Sequence, residues 1–367
     1  WSSFLKITDK IPETIRKAFR IATTGRPGAV HLVFPTEVMA NTFTGPPESL
    51  YAEIACSQFP AYRTRGNSKQ IQQLAKIITS AKKPVIITGG GAVHSGAGEL
   101  VIQLAEHLSA PVVTTISGQG IMPDDHPLAL GVTGDNGYHP HAHQAIEKGD
   151  TLLYIGCKMG SVSTVKWSKP NLINEQQIIQ IDIDSTMLGN AYKNTLSIAG
   201  DSRLVLEDLI EELRHQIQQT DSSAWVKDLN KQRSAFWEQS QPGLMSNQVP
   251  IKPKRVVDAI NRRLSAPSVV IADAGTPTPY ITRFLKLRGK GSRFLIPRAY
   301  GGLGYVIPAL VGAHLARPEA KIIGMFGDGS LGMSAGELET LARLNIPALM
   351  IHFNNGVFGW IKALQSL

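Results

Sequence analysis

Short apolar segments alternate with amphipathic segments over most of the chain. Between residues 68 and 215 the apolar segments have the length of strands, and the segments between them carry apolar residues at helical spacing. Strands are predicted at 84–88, 111–116, 151–155, 177–183 and 196–199, and helices at 68–81, 98–109 and 204–213. Continuous apolar strands must be covered on both faces, so the pattern predicts an α/β fold with a doubly wound parallel sheet. We therefore expect this part of the chain to form a central Rossmann-like domain.

The same alternation restarts near residue 252. Helices are predicted at 254–264, 304–316 and 335–344, and strands at 268–272, 292–296, 321–326 and 348–353. The polar segment 216–251 before it indicates a connection in which Trp225 and Trp237 pack as anchors. We therefore expect a second α/β domain at 252–367.

The first 67 residues contain fewer elements. Residues 1–45 hold one predicted helix (11–23) and one predicted strand (29–34), which is too little for a core. Residues 46–67 are rich in proline and unperiodic, as linkers are. We expect 1–45 to be part of a domain and 46–67 to connect it to the central domain at 68–215.

Composition excludes several classes of protein. With 43% hydrophobic and 18% charged residues, no apolar run approaches the roughly 20 residues of a membrane helix. The only cysteines, Cys56 and Cys157, exclude a disulfide framework and a cysteine zinc site, so a reducing, cytoplasmic setting is expected. The net charge is +8, yet the basic residues form no stripe with interleaved aromatics, and nucleic-acid binding is not expected.

Two polar motifs follow neighbouring apolar segments of the last domain. The strand at 321–326 leads into Gly327-Asp328-Gly329-Ser330, and the strand at 348–353 leads into Asn354-Asn355-Gly356. Each motif alone is typical of a tight turn, with Asp328 as a helix N-cap. Ligands of parallel sheets gather at the carboxyl ends of strands, and carboxylate and amide oxygens suit Mg²⁺, so together the motifs indicate a magnesium and phosphate site.

These motifs resemble the signature of the thiamine diphosphate-dependent enzymes, which is GDG followed some 25 residues later by NN. The resemblance implies that Asp328, Asn355 and the backbone oxygen of Val357 bind Mg²⁺. It also implies that the amides of Gly329 and Ser330 contact the diphosphate, next to Gly327.

Two further segments resemble the same family. In Tyr300-Gly301-Gly302-Leu303-Gly304-Tyr305, Leu303 takes the position of the residue wedged between the two cofactor rings, and the Gly301 carbonyl would accept a hydrogen bond from the aminopyrimidine. By itself this segment is equally typical of a helix entry with Leu303 in the core. In Asp273-Ala274-Gly275-Thr276-Pro277, the amides of Gly275 and Thr276 would contact phosphate oxygens.

The central domain contains the glycine run Gly89-Gly90-Gly91 between a strand and a helix. The need for a tight turn explains these glycines as well as the binding of a nucleotide does. The domain resembles the middle domain of acetolactate synthase-like enzymes, in which this turn faces FAD or an ADP-like group. Segments 114–120, 131–137, 156–163 and 182–184 fall where those enzymes line the nucleotide. Biosynthetic members carry Asp-Asp-Arg within the third of these, whereas this chain has no arginine there, so FAD is a doubtful cofactor.

The alternating His139, His141 and His143 also suggest a metal site. The stretch is expected to be a loop that runs into a helix, which favours exposed or capping histidines at a domain surface over a zinc site.

The resemblance, to the catalytic large subunit type, implies an enzyme that decarboxylates a 2-oxo acid such as pyruvate and then joins the product to a second carbonyl compound. A homodimer or tetramer is expected. Alternatives are a simple 2-oxo acid decarboxylase of the benzoylformate type and a noncatalytic nucleotide-binding module. Residues 1–45 correspond to the tail of the pyrimidine-binding domain, without the activating glutamate. We therefore expect a piece of a longer protein, inactive alone, whose diphosphate-binding domain at 252–367 is incomplete.

Overall fold

The N-terminal elements form a small parallel pair of strands, in a computed structural model that describes residues 1–171, 175–214, 222–298 and 300–366. The elements are β1 (Ser2–Phe4), α1 (Ile11–Thr23), β2 (His31–Val33) and α2 (Thr36–Ala40). β1 pairs with β2 and with no other described strand. The three-residue β1 was not expected from the sequence, because so short a segment carries no periodic signal.

A six-stranded parallel sheet forms the centre of the chain. Its elements are α3 (Ser68–Ser80), β3 (Pro84–Thr88), α4 (Gly90–Ser95), α5 (Gly98–Leu108), β4 (Val112–Thr114), β5 (Ala129–Val132), α6 (Pro140–Lys148), β6 (Thr151–Ile155), β7 (Gln177–Asp182), β8 (Leu196–Ala199) and α7 (Ser202–Leu213). The strand order is β5-β4-β3-β6-β7-β8. Ile86 packs into the hydrophobic cluster on one face of the sheet, and Val85 and Ile87 pack into the cluster on the other. Both faces are covered, which confirms the doubly wound parallel architecture.

The polar segment after the central sheet forms a long helix, α8 (Ser223–Leu244). Trp225 and Leu229 pack into the core of the central sheet, and Phe236 packs into the core of the following unit. Of the two expected anchors, Trp225 is buried and Trp237 is half-buried. The predicted boundary at residues 215 and 216 lies outside the described residues, and the domain limits stay a prediction.

The last unit contains a four-stranded parallel sheet in the order β10-β9-β11-β12. Its elements are α9 (Pro253–Asn261), β9 (Ser268–Ala272), α10 (Pro277–Phe284), β10 (Arg293–Leu295), α11 (Val306–Ala316), β11 (Lys321–Gly327), α12 (Asp328–Ser334), α13 (Glu337–Arg343), β12 (Ala348–Phe353) and α14 (Gly359–Gln365). Hydrophobic clusters again cover both faces of β9, with Val270 on one side and Val269 and Ile271 on the other. None of the described helices in the chain has the length and apolar character needed to cross a membrane.

Candidate functional site

The register of β11 and β12 brings the two polar motifs together. Gly327 at the end of β11 lies opposite Phe353 at the end of β12, so both chains leave the sheet at the same edge. The carboxylate of Asp328 accepts hydrogen bonds at Oδ2 from the backbone amides of Asn355 (2.9 Å) and Gly356 (2.8 Å). The convergence expected from parallel strand ends is therefore present.

The oxygen atoms at this edge fit a hard cation. Hydrogen bonds from the backbone amides, that of Asn355 foremost, lower the pKa of Asp328, so its carboxylate is ionised at neutral pH. Asn355 adds an amide oxygen, which accepts from the amide of Val357 at 3.2 Å. In the part of the chain that the structure describes, no group of three His, Cys, Asp or Glu side chains could hold a metal. A cation here would depend on one carboxylate with neutral oxygens, a set that leaves Mg²⁺ free to bind phosphate.

His352 belongs to this cluster, although the sequence analysis did not identify it. Its Nε2 lies 2.8 Å from Oδ1 of Asp328, and its ring stacks on Phe326, the residue opposite it on β11. Asp328 is thus held from both oxygens, by the histidine and by the turn after β12. The signal available in the sequence was a histidine two residues before the first asparagine on the neighbouring strand.

We expect the substitution His352→Leu to weaken Mn²⁺ binding in the presence of thiamine diphosphate by about tenfold, because ligand carboxylates lose affinity when their outer hydrogen-bond partner is removed. Electron paramagnetic resonance of free Mn²⁺ measures the affinity without any turnover. His352→Gln, which keeps a donor, should recover most of it, and His31→Leu at an exposed site is the control. Equal affinity in His352→Leu and the native chain would contradict a positioning role.

Leu303 and Phe358 lie against the glycine that follows Asp328. A Cβ atom on Gly329 would come within 2.4 Å of a ring carbon of Phe358 and 3.2 Å of Leu303 Cδ1. Leu303 is half-buried and Phe358 is 58% exposed, so neither is a core residue of the described chain. Gly301 has φ +64°, a backbone conformation that favours glycine. Leu303 and Phe358 are therefore neighbours of Gly329.

The end of β9 approaches the same edge. A Cβ atom on Gly359 would lie 2.4 Å from Thr276 Oγ1 and 3.2 Å from Asn355 Nδ2, which places Thr276 beside the asparagine. Thr276 and Gly275 (φ +130°) immediately precede α10.

Asp273 joins this loop to the Leu303 segment. Its side chain is 2% exposed and accepts hydrogen bonds from the amides of Ala274 (3.0 Å) and Val306 (3.1 Å). Burial raises the pKa of Asp273, and these amides oppose the rise. Ser330, also buried, completes the turn of α12 at this edge. Three separate segments of the last sheet thus meet around Asp328.

The turn Gly89-Gly90-Gly91 lies in the central sheet, at the carboxyl end of β3, and has a structural reason for its glycines. A Cβ atom on Gly89 would lie 2.2 Å from the backbone oxygen of Gly156, and one on Gly91 would lie 2.8 Å from its Cα. The amide of Gly91 donates to the same Gly156 oxygen at 3.0 Å. Close backbone approach accounts for Gly89 and Gly91 without a nucleotide.

Gly89→Ala should lower the free energy of unfolding by about 3 kcal/mol, because the added methyl group meets backbone that cannot turn away. Urea unfolding followed by circular dichroism measures the change. Gly90→Ala is the matched comparison, since its Cβ would lie 3.1 Å from the Ser117 side chain rather than against backbone. Equal losses for the two variants would show that the approach to Gly156 is not the cause.

The three histidines before and within α6 are buried, and the expectation of exposed or capping side chains is wrong. His139, His141 and His143 are 5%, 2% and 8% exposed, and no side chain caps the helix. Nδ1 of His139 accepts from the amide of Val132 at 2.9 Å, and its Nε2 lies 2.8 Å from the Arg283 oxygen. The rings of His139 and His141 pack against Phe236 of α8, a contact that the local sequence does not reveal, and the ring of His143 stacks on Tyr138.

Comparison with known proteins assigns two parts of the chain to one family of enzymes. Residues 71–209 match the model for the central domain of thiamine pyrophosphate enzymes, and residues 273–367 match the model for their C-terminal, thiamine pyrophosphate-binding domain.

Similar proteins include a probable acetolactate synthase large subunit of Methanocaldococcus jannaschii, 34% identical over 99% of this chain and 61% of the relative. An acetolactate synthase of Mycobacterium bovis is 31% identical over 98% of this chain and 57% of its own length. An acetolactate synthase large subunit of Haemophilus influenzae is 30% identical over the whole of this chain and 62% of its own length. The chain thus spans about three fifths of the relatives that it matches, and it belongs to the thiamine pyrophosphate enzyme family.

Proposed function

We propose that this chain is the greater part of a thiamine diphosphate- and Mg²⁺-dependent enzyme that decarboxylates a 2-oxo acid such as pyruvate and transfers the remaining fragment to a second carbonyl compound, as an acetolactate synthase does. The observation that carries the proposal is the meeting of Asp328 and Asn355 at one sheet edge, with Leu303 beside Gly329. The names of the relatives support the substrate class.

In this proposal Asp328, Asn355 and the backbone oxygen of Val357 hold Mg²⁺. The amides that precede α10 and begin α12 hold the phosphates, and they belong to Gly275, Thr276, Gly329 and Ser330. Gly301 would accept a hydrogen bond from the aminopyrimidine, and Leu303 would support the bent cofactor. When bound, thiamine diphosphate supplies the electron sink for cleavage of the bond between the carbonyl and carboxylate carbons.

The residues after the proposed metal ligands suit contact with the substrate. Val357, Phe358 and Trp360 are 40%, 58% and 43% exposed, so they form an apolar surface next to Asn355. An apolar surface would exclude water from the reacting carbons and so favour their joining over protonation by solvent. The family uses a glutamate to protonate the aminopyrimidine ring. We assign that role to no residue of this chain, because the sequence around Glu13 and Glu37 does not resemble the segment that carries this glutamate in the family.

FAD is left out of the proposal, because residues 156–163 include Lys158 but no arginine. We further propose a homodimer or tetramer and a cytoplasmic setting. The free, buried Cys56 and Cys157 are compatible with a reducing compartment.

Calorimetry with thiamine diphosphate and Mg²⁺ tests the proposal directly. Saturable heat that disappears when Mg²⁺ is replaced by a chelator supports it, and the absence of heat would favour a noncatalytic module. The complete protein supplied with pyruvate then separates the two reactions. Acetolactate as the product supports carboligation, whereas acetaldehyde alone would identify a simple decarboxylase.

A further inference from the structure

A cavity of about 400 Å³ lies between β5, α8 and the residues that follow α10. That volume is in the range of pockets for small molecules, roughly 300–1,000 Å³. None of its lining residues belongs to the cofactor site proposed above. The polar side chains that matter below are Gln119, Asp124, His141, Arg233 and Lys286, together with the ring of Trp237.

Two cations of this cavity make direct contacts only with neutral groups, although the carboxyl of Asp124 attracts both of them and Asp258 also attracts Lys286. Within the described residues neither Arg233 nor Lys286 forms a salt bridge. Arg233 donates from Nη1 to the backbone oxygens of His126 (3.1 Å) and Ala129 (2.6 Å), and the Lys286 ammonium lies 3.6 Å from the centre of the Trp237 ring. Both side chains are half-buried, and burial lowers both pKa values. Charges held this way favour an incoming anion.

The acidic side chains of the cavity limit the negative charge that a ligand can carry. Asp124 accepts from the amide of Leu287 at 2.7 Å, and burial raises the pKa of its carboxyl to about 7, so it is only partly ionised at neutral pH. Asp125 and Glu238 also line the cavity but are exposed to solvent. These carboxylates would repel a polyphosphate, while one or two ligand carboxylates could be neutralised by the two cations.

The cavity lining also contains buried polar atoms without partners among the described residues. His141 is 2% exposed and its Nδ1 has no hydrogen bond, and Gln119 is 5% exposed with its Oε1 in the same condition. The other end of the Gln119 amide is fixed, since Nε2 donates to the Thr282 oxygen at 3.0 Å. Buried polar atoms of this kind normally bond to a ligand or to ordered water. Because an amide oxygen only accepts hydrogen bonds, Gln119 Oε1 would bond to a water molecule or to a donor group of a ligand, and not to a carboxylate.

We propose that this cavity binds a small organic anion with one or two carboxylates, through Arg233 and Lys286. The guanidinium keeps donors beyond the Nη1 atom that the backbone uses, and its planar fork matches a carboxylate. The site is separate from the proposed thiamine diphosphate site and does not depend on the proposed reaction, although Gln119, Gly131 and Val132 belong to segments that the resemblance assigns to a nucleotide.

Malonate, a small dicarboxylate, is the probe. It is titrated at constant ionic strength into the Asp328→Ala variant, in which the cofactor site is disabled, and followed by calorimetry and tryptophan fluorescence. Saturable binding is expected. Arg233→Gln and Lys286→Gln should each weaken it by about tenfold, as expected when a charge-assisted contact is lost.

Lys290→Gln is the matched control, because Lys290 is exposed, pairs with Glu99 and lies outside this cavity. Lys286→Arg keeps the charge and should bind within about threefold of the native residue. The proposal is overturned by the absence of saturable heat, by equal weakening in Lys290→Gln, or by unchanged binding in both glutamine variants when their thermal unfolding is native.

Discussion

Replacing Asp328 by alanine is expected to weaken the binding of thiamine diphosphate with Mg²⁺ by about 100-fold or more, equivalent to about 2.7 kcal/mol. Asp328 is the only carboxylate among the proposed ligands, and a divalent cation held by neutral oxygens alone loses its main electrostatic attraction. The change also frees the amides of Asn355 and Gly356, so the turn that carries the second ligand loses its anchor. Calorimetry of the cofactor against the variant measures the loss.

Two comparisons make this result specific. Asp328→Asn keeps an acceptor for the two amides but removes the charge, so its affinity should fall between those of the alanine variant and the native chain. Glu319→Ala removes an exposed acid two residues before β11, at the opposite end of the strand, and should leave binding unchanged. Native affinity in Asp328→Ala would exclude this edge of the sheet as the cofactor site.

Acidification to pH 5 is expected to cost about 2 kcal/mol of folding stability for each buried histidine around α6. Burial lowers the pKa of His139 to about 3 and those of His141 and His143 to about 4, from an ordinary value of 6.5. The unfolded chain therefore takes up these protons first, and the stability present above pH 6.5 is lost as the pH falls below it. The geometry agrees, because His139 and His143 each accept a backbone N–H through a ring nitrogen that protonation would occupy.

Urea unfolding at pH 8 and pH 5 measures the loss of folding stability, and the variant His143→Gln separates the contribution of one histidine from that of other groups. Asp124, whose pKa burial raises to about 7, acts in the opposite direction, since its folded form binds a proton that the unfolded form releases. The histidine contribution is therefore the difference between the native chain and His143→Gln, which should lose about 2 kcal/mol less between the two pH values. His31→Gln at an exposed position should match the native chain. Parallel losses in all three would show that His143 titrates normally.

Local pattern was sufficient for the strands with the most continuous burial. The segments at 84–88 and 151–155 coincide with β3 and β6, in which every residue is buried. β5 was not predicted, because its four residues include Gly131 and offer too short a pattern to distinguish from a turn. The segment that forms α8 was interpreted as a connection because its sequence is polar. Its apolar residues can be understood only from the two cores that they contact, which are formed by residues far away in sequence.

In the candidate site too, some features follow from the sequence pattern and others depend on tertiary contacts. That Asp328 and Asn355 meet follows from parallel strands ending at one edge, which is a property of sequence pattern and topology. The contact of His352 with Asp328 depends on the register between β11 and β12, which no single strand specifies. The burial of His139 and His141 likewise depends on Phe236, nearly a hundred residues later in the chain.

The eight-residue helix α10 links the central sheet mechanically to the proposed phosphate loop. Thr276 precedes its first turn, while the main-chain oxygens of Thr282 and Arg283 in its last turn contact Gln119 and His139. Just beyond the helix, Leu287 exchanges two hydrogen bonds with Asp124. Because one short helix joins these contacts to Thr276, the position of Thr276 depends on how α10 packs against the central unit. The placement of the amides that we propose to hold the diphosphate then depends partly on residues outside that site.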